Sequence, residues 1–264
     1  MLQIETRGRV RIWTIDRPEA RNAVHPLLAR ALYEAALAFD LDDTVDVAVL
    51  TGAGGTFCAG FDLKAAATGA GVEWLDSLTL SEDWVDPVAR PRPGPMGPTR
   101  LMLSKPVIAA IEGHAVAGGL ELALWCDMRV VARDAILGVF CRRWGVPLID
   151  GGTVRLPKIV GQGRANDMIL TGRGVRSDEG AIMGLVDRIT DPGKALEIAV
   201  GLAEGLTRFP QGCMRADFLS ARMTPPALAA ALRREWDSAG MVMAEGVAGA
   251  TRFAKGEGRG GRFD

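Results

Sequence analysis

The chain has 264 residues, enough for one large domain with a substantial buried core, or for a domain with a small appendage. Hydrophobic residues make up 48% and charged residues 24%, a balance that is typical of an ordinary soluble globular protein and does not suggest a disordered one. The net charge of -1 gives no electrostatic footprint for nucleic acid or an acidic membrane surface. No apolar run reaches the roughly 18 residues that a membrane span requires, so we predict neither nucleic acid nor membrane as a partner.

The cysteines and the first residues indicate an intracellular environment. Cys58, Cys126, Cys141 and Cys213 are widely spaced and form no CxxC pair, so we expect reduced thiols rather than disulfides. Residues 1–5 do not begin the basic and then apolar pattern of a secretion signal. We therefore expect a cytoplasmic protein.

Short β-type runs alternate with helical patterns, which favours an α/β architecture. The runs predicted as strands are residues 10–15, 45–50, 107–111, 129–132 and 186–189. A helix is predicted over residues 27–39, where apolar residues recur at helical spacing. Past residue 210 the composition again becomes helical, and it predicts helices over 214–222 and 226–243.

Residues 68–99 interrupt this pattern. Trp74 and Trp84 are followed by a dense series of prolines at positions 87, 91, 93, 95 and 98, which excludes a central strand or helix. The segment is therefore predicted to be a long surface loop. It is either a variable insertion or a substrate-facing lid that the tryptophans make apolar. The glycine-rich tail, residues 256–262, is expected to be mobile.

The most informative pattern lies at residues 105–122. A strand-like run leads to Gly118 and Gly119, where a helical pattern begins with Glu121 one turn in. Glycines let a ligand approach the main chain, and the unpaired N–H groups of a helix start point toward it. The sequence predicts an oxyanion donor beside an acid or base. The alternatives are tight helix-to-sheet packing for the glycines, and a carboxylate that only complements the helix N-terminus.

A second segment supplies the partner of this site, with a buried strand over residues 46–51 and a glycine-rich turn over 52–64. Together the two segments resemble the crotonase family, the enoyl-coenzyme A hydratase and isomerase superfamily. The likeness spans about residues 1 to 220 and includes further matching stretches at 17–23, 126–127, 150–153 and 170–172.

The resemblance implies a fold and a division of the chain. Family members form a spiral of repeated ββα units with a C-terminal helical region, so an α/β fold of this kind is expected here. We predict a crotonase-like core domain at residues 1–205. The C-terminal helical region, residues 206–264, is expected to serve in oligomerisation and active-site closure, and a homotrimer or dimer of trimers is the assembly that the resemblance implies.

The resemblance also implies an activity on acyl-coenzyme A thioesters. In the family, two main-chain N–H groups bond the thioester oxygen and stabilise an enolate, and the matching donors are Phe61 and Gly118. Glu121 matches the first of two hydratase glutamates, whereas the second position is occupied by Cys141, a neutral thiol. We expect an enoyl-CoA hydratase-like lyase. The alternatives are a double-bond isomerase, another enolate reaction, or a non-catalytic coenzyme A binder.

Two residues near this site have open interpretations. Cys141 is either a thiolate favoured by Arg142 or Arg143, or a small buried residue in place of a carboxylate. Asp150 precedes a helix-start pattern, so it is either an N-cap or a catalytic group, since some family members place a catalytic aspartate within one residue of this point.

Coenzyme A is expected as part of the substrate, without a separate cofactor or metal. The resemblance implies that residues 21–24 and 59–64 cover its adenine and phosphates, where Arg21 and Lys64 are either phosphate donors or solvated surface residues. The residues expected to contact substrate or coenzyme A are Arg21, Ala23, Ala59, Asp62, Leu63, Lys64, Gly119, Cys141 and Trp144.

Overall fold

The computed structural model describes residues 1–66, 69–240 and 242–257 and contains two sheets. The strands are β1 (Leu2–Arg7), β2 (Val10–Ile15), β3 (Val47–Gly52), β4 (Val107–Ile111), β5 (His114–Val116), β6 (Met128–Ala132), β7 (Ile136–Gly138), β8 (Gly174–Arg176) and β9 (Arg188–Thr190). The larger sheet has the order β1-β2-β3-β4-β6-β9 and is parallel except for the β1–β2 hairpin. The smaller sheet has the order β5-β7-β8.

Helices cover the sheets and form the C-terminal part of the chain. They are α1 (Pro26–Leu41), α2 (Leu63–Ala66), α3 (Gly69–Asp76), α4 (Gly118–Trp125), α5 (Gly152–Val160), α6 (Gln162–Thr171), α7 (Ser177–Met183), α8 (Ala195–Leu206), α9 (Gln211–Ser220), α10 (Pro225–Gly240) and α11 (Met243–Ala254). Helix α1 begins after His25, whose Nδ1 accepts a hydrogen bond from Leu28 N at 3.2 Å. It ends where Lys105 Nζ donates to the carbonyl oxygens of Phe39 and Asp42 at 2.9 and 2.7 Å.

Successive side chains of the central strands point to opposite faces of the sheet, so the core has two layers. In β3, Val47 and Val49 pack against α8, whereas Ala48 and Leu50 face the cluster that contains α1 and α4. Both faces of the strand are therefore buried, as expected for parallel strands covered by helices. Every residue of α4 is buried in the second layer, which places Gly118 and Glu121 inside the molecule.

The α/β class is confirmed, and all five predicted strands are present. Strands β2 and β4 have the predicted bounds, whereas β3 begins two residues later than predicted, at Val47. The predicted helix over 226–243 is present as α10, Pro225–Gly240, which ends three residues earlier than predicted, and α11 begins at Met243. The chain leaves α8 at Leu206, close to the predicted division at residue 205, which stays a prediction.

The prediction of a surface loop over residues 68–99 is wrong at both ends. Helix α3 forms at its start, before the first proline, although residue 68 lies outside the described part of the chain. Its end is buried from Gly94 onward. Two tryptophans also bond backbone oxygens of the segment, since Trp74 Nε1 donates to Pro95 O at 3.1 Å and Trp84 Nε1 donates to Arg90 O at 2.7 Å. The aromatic residues thus fix the segment to the body of the protein.

The last two points concern membrane-spanning helices and the C-terminal tail. No helix in the described ranges combines the length and apolarity needed to cross a bilayer. The tail predicted to be mobile lies outside the described residues from position 258 onward, while Gly256 and Glu257 form part of a turn after α11.

Candidate active site

The two segments predicted to supply oxyanion donors run side by side. Cys58 and Ala115 form a parallel bridge, and the chain reaches Phe61 and Gly118 three residues further along each segment. A Cβ atom added to Gly60 would lie 2.9 Å from Gly118 N, so the backbones approach each other more closely than a side chain at residue 60 would allow. The structure thus brings Phe61 and Gly118 together at one end of these paired segments.

The N–H groups of Phe61 and Gly118 are available to a ligand. Val24 N donates to Gly60 O at 2.8 Å and Asp62 N donates to Val24 O at 2.8 Å, so the intervening Phe61 N–H points away from Val24. Gly118 is the first residue of α4, and its N–H has no acceptor within the helix. Neither N–H has a hydrogen-bond partner among the described residues. Two such donors can bond one carbonyl oxygen on which negative charge develops.

The backbone before Gly118 is held in an unusual conformation. Ala117 has φ 54° and ψ -129°, outside the regions that residues with a Cβ prefer, and its N–H donates to Gly138 O at 2.9 Å. A Cβ atom at Gly119 would lie 2.1 Å from Cys58 O, so a glycine is required there by packing. The packing interpretation therefore holds for Gly119, while Gly118 is left to present its N–H.

Glu121 is buried, with 3% of its surface exposed, and it bonds a different helix from its own. Its Oε1 accepts hydrogen bonds from Asp150 N at 2.8 Å and Gly152 N at 2.9 Å, at the start of α5. The alternative in which it complements a helix N-terminus therefore applies to α5 and not to its own helix, α4. Its Oε2 has no hydrogen-bond partner among the described residues, and burial, with the charge of Asp150 second, raises its pKa well above the ordinary value.

Asp150 is equally buried, with 2% of its surface exposed, and it does not cap α5. The N-cap is Gly151, without a side-chain hydrogen bond, so the capping interpretation is wrong. Asp150 Oδ1 instead accepts hydrogen bonds from Met96 N at 2.9 Å and from Thr99 Oγ1. No described residue bonds Oδ2, and burial raises the pKa of Asp150 to about 6.

Three further charged residues surround this pair and were not predicted from the sequence. Arg155 Nη1 donates to Asp150 O at 3.1 Å, and burial lowers the pKa of Arg155. Arg100 is 1% exposed, and burial lowers its pKa to about 10. Glu235, on α10, bonds the same turn that holds Glu121. The site is thus a cluster of three buried carboxylates and two guanidinium groups.

Cys141 lies beside the carboxylates, and its buried surroundings favour the neutral thiol over the thiolate. Burial, with the charge of Glu121 second, raises the pKa of its thiol to about 12, and the smaller opposing effect of Arg142 does not overcome them. The interpretation as a small buried residue therefore holds. Three residues on, Trp144 meets Phe253 of α11 edge to face, with ring centroids 5.2 Å apart.

The two segments predicted to cover coenzyme A also lie together, since Ala59 N donates to Arg21 O at 3.0 Å. The side chains of Arg21 and Lys64 are exposed. Asp62 has a structural explanation, because its Oδ1 accepts a hydrogen bond from Lys64 N at 3.0 Å at the start of α2 and its Oδ2 pairs with Arg17 at 3.1 Å. The remaining predicted contacts on these segments are half-buried, namely Ala23 and Leu63.

Among the described residues, the site includes no metal-binding group, and the neighbouring surface cavity does not include its predicted catalytic residues. Within the described ranges, no three His, Cys, Asp or Glu side chains are arranged to hold a metal ion. A surface cavity of about 250 Å³ is lined in part by Arg155, Leu101, Cys126 and Arg222 and includes none of the four residues predicted to be catalytic.

Free backbone donors beside buried carboxylates define an enzyme-like site, and comparison with known proteins identifies the family. The family model for enoyl-CoA hydratase/isomerase matches residues 5–86 and 99–243, which is most of the chain. The protein belongs to this family.

Individual relatives and solved structures agree. Enoyl-CoA hydratase EchA19 of Mycobacterium tuberculosis is 35% identical over 204 residues, covering 77% of this chain and 73% of the relative. Carnitinyl-CoA dehydratase of Salmonella arizonae is 38% identical over 210 residues, covering 78% and 74%. The crystal structure of carnitinyl-CoA hydratase from Mycobacterium avium superposes with a TM-score of 0.81 at 29% identity, covering 96% of this chain and 95% of that one. These matches confirm the crotonase-like fold.

Proposed function

We propose that this protein is an acyl-CoA lyase of the hydratase type, which adds water to a 2-enoyl thioester through an enolate. The observation that carries the proposal is the pair of free N–H groups, at Phe61 and Gly118, beside the buried carboxylates Glu121 and Asp150. Removing one oxyanion donor typically costs about 3 to 4 kcal/mol of transition-state stabilisation, so this pair is a major part of the catalytic machinery.

Asp150 supplies the second carboxylate that the Cys141 position lacks. Each of the two acids has one anchored oxygen, Glu121 Oε1 and Asp150 Oδ1, and a second oxygen without a partner among the described residues. Neighbouring acids whose pKa values are moved apart can divide the roles of acid and base. Burial raises the pKa of Glu121 well above its ordinary value and that of Asp150 to about 6. We therefore assign the role of acid to Glu121 and the role of base to Asp150.

The reaction then proceeds as follows. The water oxygen bonds to C3 of the enoyl group while one water proton passes to Asp150 Oδ2. The double-bond electrons move toward the thioester oxygen, where the N–H groups of Phe61 and Gly118 stabilise the negative charge. Glu121 gives its proton to C2, and the proton on Asp150 returns to Glu121 to complete the cycle. General acid–base catalysis of this kind contributes about 10²- to 10⁴-fold in rate.

Further parts of the proposal concern binding and assembly. We place coenzyme A against residues 21–24 and 59–64, with Arg21 and Lys64 as phosphate donors, and this is supported by the adjacency of the two segments and the exposure of both side chains. No separate cofactor is required. The C-terminal region, residues 206–264, closes the site and joins subunits into a cytoplasmic homotrimer or dimer of trimers. The contact of α11 with Trp144 supports the closing role.

A panel of 2-enoyl and 3-enoyl-CoA thioesters tests the function. We expect a mass increase of one water with 2-enoyl substrates, and a fall in kcat of at least about 100-fold in Glu121→Gln. Glu204→Gln, which changes an exposed side chain on α8, is the matched control and should leave kcat unchanged. Unchanged mass with a moved double bond would show an isomerase instead, and tight binding without turnover would show a non-catalytic binder.

A further inference from the structure

Two glutamates share the backbone of one turn. The four successive N–H groups of residues 150–153 alternate between them: the first and third donate to Glu121, and the second and fourth donate to Glu235. The distances to Glu235 are 2.6 and 2.8 Å, and the hydroxyl of Thr153 adds a third hydrogen bond at 2.7 Å. The turn that carries Asp150 is therefore clamped from both sides.

Glu235 reaches this turn from a distant part of the chain. It lies on α10, 84 residues beyond Gly151, and only 4% of its surface is exposed. A buried carboxylate is unfavourable unless hydrogen bonds compensate for the lost water, and the three bonds to the turn provide that compensation. The start of α5 already has one carboxylate in Glu121, so a second one is more than helix capping requires.

The charges around Glu235 make the cluster nearly self-balancing. The groups that face it are Arg155 of α5, Arg100 of the segment before β4, and the carboxylates of Asp150 and Glu121. Three carboxylates and two guanidinium groups are neutral together when one carboxylate holds a proton. Water addition needs such a proton, held between Glu121 and Asp150.

We propose that Glu235 is a positioning residue for the reaction, which fixes the turn at residues 150–153 and keeps the shared proton on Glu121 and Asp150. The inference rests on the proposed hydratase function and extends it to a residue that does not touch the substrate. The direction of the pKa shifts agrees, because burial first, and the negative charge of Glu235 to a smaller extent, raise the pKa of both Glu121 and Asp150. Burial also raises the pKa of Glu235, but its hydrogen bonds from Thr153 and Gly151 act in the opposite direction and favour its charged form.

The test is the pH dependence of kcat and KM in Glu235→Gln. We expect kcat to fall about tenfold while KM stays within about twofold, because the substrate contacts are retained and the proton-transfer geometry is not. Both limbs of the pH profile should move to lower pH by about half a unit or more, because loss of a like charge lowers the pKa of both acids. Asp237→Asn removes an exposed charge from the same helix and should change neither quantity.

A purely structural role would give a different result. If Glu235→Gln lowers the melting temperature but leaves kcat and the pH profile at wild-type values, the positioning role is overturned while the hydratase function stands. Absence of turnover in the wild type would overturn both. Should Glu235→Gln fail to fold, Thr153→Val removes one of the three bonds, and we expect kcat to fall about threefold at constant KM. An unchanged kcat in that variant would also overturn the proposal.

Discussion

Replacing Asp150 by asparagine should make the protein less active and more stable. Asparagine has nearly the same shape and retains an oxygen to accept the hydrogen bonds from Met96 N and Thr99 Oγ1, so only the second, unpartnered oxygen changes its chemistry. Because the proposed base is lost, kcat should fall about 10²- to 10⁴-fold. The gain in stability follows from the raised pKa of the carboxylate.

The raised pKa of Asp150 sets the size of the gain in the free energy of unfolding. The pKa of Asp150 is about 6 in the folded protein against 3.8 ordinarily, so its ionisation costs at most about 3 kcal/mol above pH 6. Weaker hydrogen bonds to a neutral amide offset part of this, about 1 kcal/mol or more. The net gain is about 1 to 2 kcal/mol, equivalent to a rise in melting temperature of roughly 2 to 6 °C.

The pH dependence of the stability difference between Asp150→Asn and the wild type provides a control. Because the pKa of Asp150 is raised in the folded protein, protonation of this group stabilises the wild type fully below about pH 4, and that stabilisation is lost as the pH rises to about 6. The free energy of unfolding of Asp150→Asn relative to the wild type should therefore increase over this window and then stay constant. Thermal unfolding from pH 4 to 8, together with the hydration assay, measures both quantities. A variant that is less stable at pH 7, or that retains wild-type kcat, would refute the reasoning.

Three further results are expected. In Gly152→Ala the new Cβ would lie 2.8 Å from Glu121 Oε1, so the displaced carboxylate should lower kcat about tenfold or more, and an unchanged rate would contradict its role. Iodoacetamide at pH 8 should modify exposed Cys213 before Cys141, whose thiol pKa is raised to about 12; peptide masses that show the reverse order would contradict its burial. Asn22→Ala removes three hydrogen bonds of a buried amide and should cost about 2 to 4 kcal/mol in urea unfolding, whereas a loss under about 1 kcal/mol would show that these bonds are not important for stability.

Features encoded by local patterns could be predicted from the sequence. Strands β2 and β4 are short apolar runs rich in β-branched residues, and α1 has regular helical spacing, so each could be identified from its own residues. The proximity of Phe61 and Gly118 was also predictable, because each follows a distinctive glycine-containing stretch whose order matches a family. Both donors are backbone groups, so the larger side chain at residue 61 does not remove the N–H.

Contacts between distant segments could not be predicted in this way. Asp150 bonds Met96 and Thr99, which are 54 and 51 residues away in a proline-rich segment without regular spacing. The residues after Asp150 are typical of a helix start and suggested a cap, but tertiary packing supplies carboxylates to that helix from Glu121 and Glu235. Nothing local to Glu235 distinguishes it from a surface glutamate on an amphipathic helix. The roles of Asp150 and Glu235 depend on their burial, and burial depends on the whole fold.

The central claim is that two peptide N–H groups from separate segments bond one thioester oxygen. A crystal structure of Glu121→Gln with a bound 2-enoyl-CoA, in which turnover is slow enough for the substrate to persist, tests it most directly. We predict that the thioester oxygen lies within about 3 Å of both Phe61 N and Gly118 N, with C2 and C3 beside residues 121 and 150. A bound thioester whose oxygen is bonded to other groups, away from both N–H donors, would contradict the account.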